Sequence, residues 1–375
     1  MRRTLTSAAV TVALVGAFAV GLSLTHRGST PAGADTVLAQ VRATLLQSYY
    51  RPVPANVLQQ PSISAMISAL NDPYTEYLDP TQFRLLRRET RSSYPGVGIG
   101  LLPAPGGLRV VRTKPGPAER AGVRAGDLIL SIDGWETAGA AFEQSVRRIL
   151  GPEGSTVRLR IRRGKRVFSV DVIRARISAP SVQSRLLVAG KLRIGYVRLS
   201  AFRLGAAPVL RLTIGKLRRA NVAGIVLDLR GNPGGVFDQA VAVSSLFLDG
   251  GVIVTLVSAH QRHTYSASGG HGALQLPLVV LVDRDSASSA EIVAAALHDN
   301  RRAMLVGEHT FGKGLVQTLR PLPNGAALRL TTARYLTPTG RDINLRGIYP
   351  DLVAVDDPTT QPDETLETAL QLFLR

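Results

Sequence analysis

The chain has no cysteine among its 375 residues, which excludes disulfide bonds, thiol catalysis, and zinc or iron–sulfur sites built from cysteine. Acidic residues are few, 27 against 45 lysines and arginines, and the formal net charge is +18. Hydrophobic residues still make up 45% of the chain, so we expect a packed α/β protein rather than a disordered one. The length allows two or three domains, each with its own core.

Aromatic residues are nearly missing from the most basic segment, Arg158–Arg176. Because single-stranded nucleic acid is usually held by stacking on aromatic side chains, we expect no nucleic acid partner. The segment alternates apolar and basic residues on both sides of Arg163-Gly164-Lys165, which predicts a β-hairpin with one solvated face. Anionic lipid or cell-wall polymer would suit that face.

The first 34 residues predict export. Arg2 and Arg3 precede an uncharged run, Thr4–Thr25, which is close to the roughly 20 residues that span a bilayer. The arginines would stay on the cytoplasmic side, so the segment is predicted to be a signal anchor in the membrane. A signal peptide cleaved near Ala32-Gly33-Ala34 is the alternative. Both interpretations place the rest of the chain outside the cytoplasm, in the cell envelope or a periplasm-like space.

Between residues 177 and 375, short runs rich in β-branched residues alternate with segments of helical periodicity. This alternation indicates a largely parallel, buried sheet with helices. The predicted strands are Leu192–Leu199, Ala223–Leu229, Val252–Val257, Leu276–Val282 and Met304–Val306. The predicted helices are Ala206–Arg219 and Val236–Leu248, with Asp35–Tyr50 and Ile63–Leu70 in an N-terminal helical region, residues 35–91.

The segment 286–317 carries the parts of a serine nucleophile site. Ser288 lies in a turn of small residues before an apolar helix, and Lys313 stands in a Gly-Lys-Gly loop four residues before Gln317. A nucleophilic serine needs a base to take its proton and a group to orient that base. A lysine can be the base if burial keeps its amine neutral. Ser289, next in sequence, is a rival nucleophile.

Two glycine-rich segments are candidate anion sites. The turn 231–235, Gly-Asn-Pro-Gly-Gly, follows a buried strand, and backbone N–H groups at such a turn can hold an anion. No Gly-Lys-Ser/Thr follows, so a nucleotide is not expected. In the segment 96–99, successive N–H groups can turn toward one anion because glycine permits that conformation, and an ordinary glycine-rich strand is the alternative. The adjoining strand could then accept a peptide as an added strand.

Three segments together resemble the carboxyl-terminal processing peptidases, serine endopeptidases that combine a PDZ domain with a Ser-Lys dyad. The segment 286–317 resembles their active-site region, except that Ser289-Ala290 stands where the family most often has Ala-Ser. The segment 227–235, LDLRGNPGG, resembles a family motif, and Gly116–Gly134 closely matches the PDZ pattern. The resemblance extends over about Val37 to Arg375.

The resemblance implies a fold, an activity and a set of site residues. The fold would be an α/β crotonase-like catalytic domain, residues 177–375, with an inserted PDZ domain, residues 92–176, that is mostly β with two helices. The activity would be cleavage of extracytoplasmic proteins near or from their C-termini through an acyl-enzyme, without metal or cofactor. Substrates would carry apolar C-terminal tails, and an oligomer or an activating partner is left open. The implied residues are the nucleophile Ser288, the base Lys313, its orienting partner Gln317, the oxyanion-hole residues Gly234, Gly235 and Ser289, and the PDZ peptide-binding residues Gly96, Val97, Gly98 and Ile99.

Other assignments stay open at this point. A histidine base would be His298, on the helix after the serine, or His309, in the loop before the lysine. His260 and His263 could bind a metal, although no acidic residue stands near them. A non-catalytic PDZ scaffold of the cell envelope is a different class of function. The turn Asn71–Leu78, which resembles a family segment, is predicted to be structural only.

Overall fold

The computed structural model describes residues 18–19, 34–89, 93–178, 180–269, 275–357 and 362–374. The chain divides into two compact units, one formed by residues 91–180 and the other by the chain on either side of them. The predicted leader, residues 1–34, lies outside the described residues apart from positions 18–19 and 34. Every helix among the described residues is too short or too polar to cross a membrane.

The N-terminal region is mainly helical. Its elements are β1 (Phe18–Ala19), α1 (Ala34–Ser48), α2 (Ala55–Leu58), α3 (Ile63–Ala69), β2 (Glu76–Leu78) and α4 (Pro80–Glu89). α1 and α3 coincide with the two predicted helices to within two residues. Ser62 caps α3 by accepting a hydrogen bond from the backbone of Ala65. The apolar faces of both helices pack against Leu328 and Leu330 of a later strand.

Residues 91–180 form a β-rich unit with two short helices. Its elements are β3 (Ser93–Gly96), β4 (Ile99–Ala104), β5 (Gly107–Thr113), α5 (Pro117–Arg120), β6 (Leu128–Ile132), β7 (Trp135–Glu136), α6 (Phe142–Ile149), β8 (Thr156–Arg163), β9 (Arg166–Ile173) and β10 (Ala175–Ser178). The antiparallel sheet has the order β4-β5-β6-β8-β9, with β7 on β6. β8 and β9 confirm the predicted hairpin, and β8 alternates buried apolar residues with exposed arginines.

The boundary of this unit lies beyond the predicted one at residue 176. β10 pairs with β3, so the chain leaves the unit only after residue 178. Just before β10, the buried guanidinium of Arg174 donates to the carbonyl oxygens of Ile149 and Arg148 at 2.8 Å. It also donates to the carbonyl of Thr156 at 2.9 Å. Arg174 therefore ties the end of α6 to β8.

The other unit contains two sheets with helices between and beside them. After residue 180 its elements are β11 (Val182–Ala189), β12 (Leu192–Leu199), α7 (Ala206–Arg219), β13 (Gly224–Asp228), α8 (Phe237–Ser245), β14 (Val252–Val257), β15 (Arg262–Ser266), β16 (Leu278–Val282), α9 (Ser289–Asp299), β17 (Met304–Gly307), β18 (Leu315–Pro321), β19 (Ala327–Leu336), β20 (Leu352–Val353), α10 (Glu364–Gln371) and a 3₁₀ turn (Leu372–Leu374). The first sheet has the order β11-β12-β13-β16-β17-β20 and is parallel except for β11. The predicted parallel sheet is confirmed, and β13 and β16 are buried at every position.

The second sheet was not predicted. Its order is β1-β18-β19-β14-β15, with β2 on β19, and all its pairs except β1–β18 are antiparallel. The assignment of β14 to the parallel sheet was wrong, because a short β-branched run has the same composition in either kind of sheet. α9 is buried from Ser289 to Leu297 and packs against β14 and β17, one strand from each sheet.

We expect Arg174→Met to lower the free energy of unfolding by about 3 kcal/mol or more, because several charge-assisted hydrogen bonds to buried carbonyl groups are lost. Arg176→Met is the matched control. Arg176 lies two residues away with a 71% exposed side chain and a 3.7 Å ion pair, so its removal should change stability by less than about 1 kcal/mol. Urea unfolding of the whole chain measures both variants. Equal effects would show that Arg174 does not tie the unit together.

Candidate active site

The predicted catalytic residues come from loops at one edge of the parallel sheet. The loops after β13, β16 and β17 contain residues 229–236, 283–288 and 308–314. Neighbouring parallel strands all end on the same side, so these loops meet there. That edge is the usual position of active sites in parallel sheets.

Ser288 occupies a strained turn between β16 and α9. Its φ of 57° and ψ of −114° are rarely adopted by residues with a side chain, and such strain costs on the order of 1–3 kcal/mol. A serine on a sharp strand-to-helix turn is typical of nucleophiles, because the turn presents the hydroxyl at the end of the sheet. The local backbone therefore agrees with the predicted role of Ser288.

The carboxylate of Glu291 connects the serine turn to the lysine loop. Its Oε2 atom accepts hydrogen bonds from the backbone N–H of Ser288 at 2.8 Å and of Lys313 at 2.9 Å. Its Oε1 atom accepts from Thr310 Oγ1 at 2.6 Å and from the N–H of Gly312 at 2.7 Å. One buried group thus fixes the backbone at both predicted catalytic residues.

The charge of Glu291 follows from these partners. Burial raises the pKa of its carboxyl group, and the four hydrogen bonds oppose that rise. All four partners present an N–H or O–H, and an ionised carboxylate, which only accepts, satisfies all of them. We therefore treat Glu291 as an anion.

A buried tyrosine links the same two residues through their carbonyl groups. The hydroxyl of Tyr335 lies 2.6 Å from the carbonyl oxygen of Lys313 and 3.2 Å from that of Ser288. Burial raises the pKa of Tyr335 well above its usual value, so the phenol keeps the proton that it donates. Glu291 and Tyr335 therefore hold the backbone of both residues, the first at their N–H groups and the second at their carbonyl groups.

Lys313 is 2% exposed. Burial is the main cause that lowers the pKa of its amine from 10.5 to about 8. The positive charge of Arg329 lowers it further, and the charges of Glu291 and Asp72 oppose the shift. A lysine with this pKa is partly neutral near pH 7, which is the form that a general base requires.

Gln317 lies on β18 and is 1% exposed. Within the described part of the chain, neither polar atom of its side-chain amide has a hydrogen-bond partner. A buried polar group left unpaired costs about 1–3 kcal/mol and calls for an explanation. A hydrogen-bond partner that the amide gains during the reaction would be such an explanation. Orientation of the Lys313 amine stays the predicted role of Gln317.

The glycine-rich turn lies directly against Ser288. A Cβ atom on Gly234, whose φ is +98°, would stand 2.9 Å from Ser288 Cβ and 3.0 Å from the nitrogen of Ser289, so only glycine fits. The N–H of Gly234 donates to Asn232 Oδ1 at 2.9 Å. Among the described residues, the N–H groups of Gly235 and Ser289 find no acceptor. Of the two glycines, Gly235 therefore has the free N–H.

Two of the alternative catalytic residues are engaged elsewhere. The hydroxyl of Ser289 donates to the carbonyl of Gly235 at 3.2 Å. His298 follows Ser288 by ten positions along α9, which places it about 15 Å further along the helix axis. Its ring nitrogens each lie 3.1 Å from an aspartate, Asp299 and Asp351. His298 is therefore too far from Ser288 to take its proton.

The remaining histidines also have other surroundings. The ring of His309 packs against Tyr349, with Nε2 facing the carbonyl of Arg346. His260 and His263 are exposed in the β14–β15 hairpin. No group of three or more metal-ligating side chains of the His, Cys, Asp or Glu type occurs among the described residues.

The predicted peptide-binding residues lie in the other unit. Gly96, Val97, Gly98 and Ile99 connect β3 to β4, and Gly98 has a φ of +83°, which favours glycine. β4 pairs only with β5 in the described sheet, so its second edge is open to an added strand.

Several residues of the site were not identified from the sequence. Glu291 could have been, because Ser-x-x-Glu before an apolar run indicates a capping box. Nothing local to Asn232 or Tyr335 indicates their contacts. The turn 71–78 was predicted to be structural only, yet the Tyr74 ring centroid lies 4.7 Å from Lys313 Nζ. That prediction was incomplete because it considered the turn without its neighbours.

Known proteins are similar to this chain in sequence and fold. Residues 193–354 match peptidase family S41, and residues 109–163 match the PDZ domain. A carboxyl-terminal-processing protease of Picosynechococcus sp. is 39% identical over 326 residues, which are 86% of this chain and 79% of that protein. The chain belongs to the carboxyl-terminal processing peptidases of family S41. The chloroplastic carboxyl-terminal-processing peptidase 2 of Arabidopsis thaliana is also 39% identical, over 77% of this chain and 59% of that protein.

Membership in this family makes the chain a serine peptidase rather than a non-catalytic scaffold. A solved structure of a photosystem II D1 C-terminal processing protease superposes with a TM-score of 0.60 at 29% identity. The alignment covers 91% of this chain and 97% of that one. The fold is therefore that of an S41 peptidase with a PDZ domain, mostly sheet with several helices.

Glu291→Gln keeps the shape of the side chain but turns an NH₂ group toward backbone N–H donors. We expect the free energy of unfolding to fall by about 3–5 kcal/mol. Displacement of the catalytic loops should lower peptidase activity by about 10²-fold. Glu308→Gln, with a 24% exposed side chain paired to Arg284, is the matched control and should change little. Urea unfolding measures the stability of both variants, and cleavage assays measure their activity. A stable, active Glu291→Gln protein would contradict the role of the Glu291 carboxylate in holding both loops.

Proposed function

We propose that this peptidase cleaves extracytoplasmic proteins near or from their C-termini, with Ser288 as nucleophile and Lys313 as its base. The observation that carries the proposal is the Glu291 carboxylate, which binds the backbone of both residues. Ser288 Oγ attacks the substrate carbonyl while the neutral amine of Lys313 takes the hydroxyl proton and later gives it to the leaving amine. Water then hydrolyses the acyl-enzyme.

The developing oxyanion is held by backbone N–H groups. Ser289 supplies one, and the glycine-rich turn supplies the second. Gly235 is the better candidate, because the N–H of Gly234 would first have to leave Asn232. Each such donor is worth about 10²–10³ in rate. Gln317, whose amide is buried without a partner among the described residues, would orient the lysine amine.

The PDZ domain, which lies within the compact unit of residues 91–180, would bind the substrate tail and deliver it to the catalytic domain that follows it. The N–H groups of the segment 96–99 would hold the C-terminal carboxylate. The open edge of β4 would take the tail as an added strand. Apolar tails are expected because Ile99 and Leu101 on this strand are apolar and only partly buried.

We further propose that the enzyme acts outside the cytoplasm, either anchored by Thr4–Thr25 or released after this segment is cleaved. Support comes from Arg2 and Arg3 ahead of an uncharged run of bilayer length. The net charge of +18 would favour contact with anionic envelope polymers or lipids. The crotonase-like relationship, an oligomer and an activating partner stay predictions.

Cleavage of an unfolded protein with an apolar C-terminus tests the dyad. Ser288→Ala and Lys313→Ala should each lower kcat/KM by about 10³-fold or more, because nucleophile and base act as one unit. Ser289→Ala is the matched control and should keep most of the activity, since its hydroxyl bonds only a backbone carbonyl. An acylating serine probe should label every variant that keeps Ser288 and a functional base. An active Ser288→Ala protein would refute the dyad.

Tail recognition is tested by binding of apolar peptides to the Ser288→Ala protein. A free C-terminal carboxylate should improve affinity by about tenfold over the amidated peptide, which corresponds to about 1.4 kcal/mol. Gly98→Ala should weaken binding because it strains the loop. Gly122→Ala is the control, since Gly122 has a similar φ of +86° but nothing within 4 Å of an added Cβ. Equal affinity for free and amidated tails would contradict carboxylate recognition.

A further inference from the structure

The turn Asp72–Thr75 reaches the active site, although its sequence indicates only a structural role. The amine nitrogen of Lys313 lies 4.7 Å from the centroid of the Tyr74 ring. An ammonium group within about 6 Å of an aromatic face is attracted by the negative charge of that face. The same ring is an apolar surface next to the amine.

A network of hydrogen bonds fixes the backbone that carries this ring. Asp72 Oδ1 accepts from the backbone N–H of Tyr74 at 3.0 Å. Its Oδ2 atom accepts from Thr75 Oγ1 at 2.7 Å and from the hydroxyl of Tyr49 at 3.2 Å. Tyr49 directly follows α1, so the turn is attached to the N-terminal helices.

The turn is attached equally firmly to β19. The backbone N–H of Thr331 donates to Thr75 Oγ1 at 3.1 Å. One residue further on, Glu76 of β2 pairs with Arg329 of β19, and their side chains form a 2.7 Å ion pair. Since β19 also carries Tyr335, the ring and the lysine loop share one support.

We propose that Tyr74 is a positioning residue for Lys313, and that its ring holds the amine and shields it from water. The inference rests on the proposed function, because it needs Lys313 to be the base. It makes the N-terminal region a working part of the active site. The ring acts on the protonation of Lys313 in two opposed ways, since its negative face favours the ammonium form and its apolar bulk favours the neutral amine.

A substitution of Tyr74 removes none of the other ionisable residues that face the lysine. Burial raises the pKa of the Tyr74 hydroxyl itself, so this group stays neutral in the range where the lysine titrates. Titration of Lys313 therefore reports on the ring. The groups that face Lys313 are Asp72 and Tyr74 in the turn, Glu291 on α9, and Arg329 and Tyr335 on β19.

The test is the pH profile of kcat/KM for the full chain. In the wild type kcat/KM should rise with pH through a midpoint of about 8. Below this pH the lysine amine is protonated and cannot act as a base. Tyr74→Phe keeps the ring and should keep this midpoint. Tyr74→Leu keeps water out but removes the aromatic face, so the midpoint should fall by about half a unit. Tyr74→Ser admits water, so the midpoint should rise by about one unit and the rate at pH 7 should fall about tenfold.

Two controls separate this inference from its premise. Tyr77→Ser lies in the same segment, but its hydroxyl bonds Asn324, so the midpoint should stay at the wild-type value. If Lys313→Ala is active, the dyad itself is refuted. If Lys313→Ala is inactive while Tyr74→Leu and Tyr74→Ser keep the wild-type midpoint, the role of Tyr74 is refuted. A midpoint shift in Tyr74→Phe would also overturn it. If Tyr74→Ser does not fold, the midpoint of Tyr74→Leu alone tests the role of Tyr74.

Discussion

The buried carboxylate of Glu291 is the interaction on which the rest of the site depends. Its negative charge lies at the start of α9, where the helix dipole favours an anion. Backbone N–H groups and one hydroxyl satisfy it, so it does not need the ammonium group of Lys313 as a partner. The site can therefore lower the pKa of the lysine amine even though an ionised carboxylate lies close to it. Burial and the charge of Arg329 then outweigh the opposing effect of Glu291 on the lysine pKa.

The strained turn at Ser288 is stable because hydrogen bonds to several neighbouring residues hold it. Glu291 binds its N–H, and Tyr335 binds its carbonyl. Asn232 adds a third constraint, since its Nδ2 donates to the carbonyl of Leu199 at 2.6 Å while its own carbonyl accepts from Ala287 at 2.9 Å. The chain at the C-terminal ends of β12, β13 and β16 is thereby connected next to Ser288. A geometry that is costly in isolation is stable here because so many bonds would have to break to relax it.

Much of the parallel sheet could be predicted from the sequence, because its strands are short runs buried on both faces. The strand Leu192–Leu199 and the helix Ala206–Arg219 begin and end at the predicted residues. The second sheet could not be predicted, since periodicity gives no information on which strand β14 pairs with. Short sequence motifs were also enough to single out Ser288 and Lys313 as candidate site residues. Glu291 carries a local signal, whereas the contacts of Tyr335 and Tyr74 depend on strand pairing and helix packing, which no short segment of sequence encodes.

The environment of Lys313 depends on the N-terminal region as well as on its own loop. Burial is the largest cause of the lowered pKa of Lys313, and the Tyr74 ring centroid lies 4.7 Å from its amine nitrogen. The turn that carries this ring is held by Tyr49 after α1 and by Thr331 on β19, far apart in sequence. The basicity of the lysine therefore depends on the packing of the N-terminal helices against β19. Displacing these helices would expose the Lys313 amine to water and raise its pKa toward the usual lysine value.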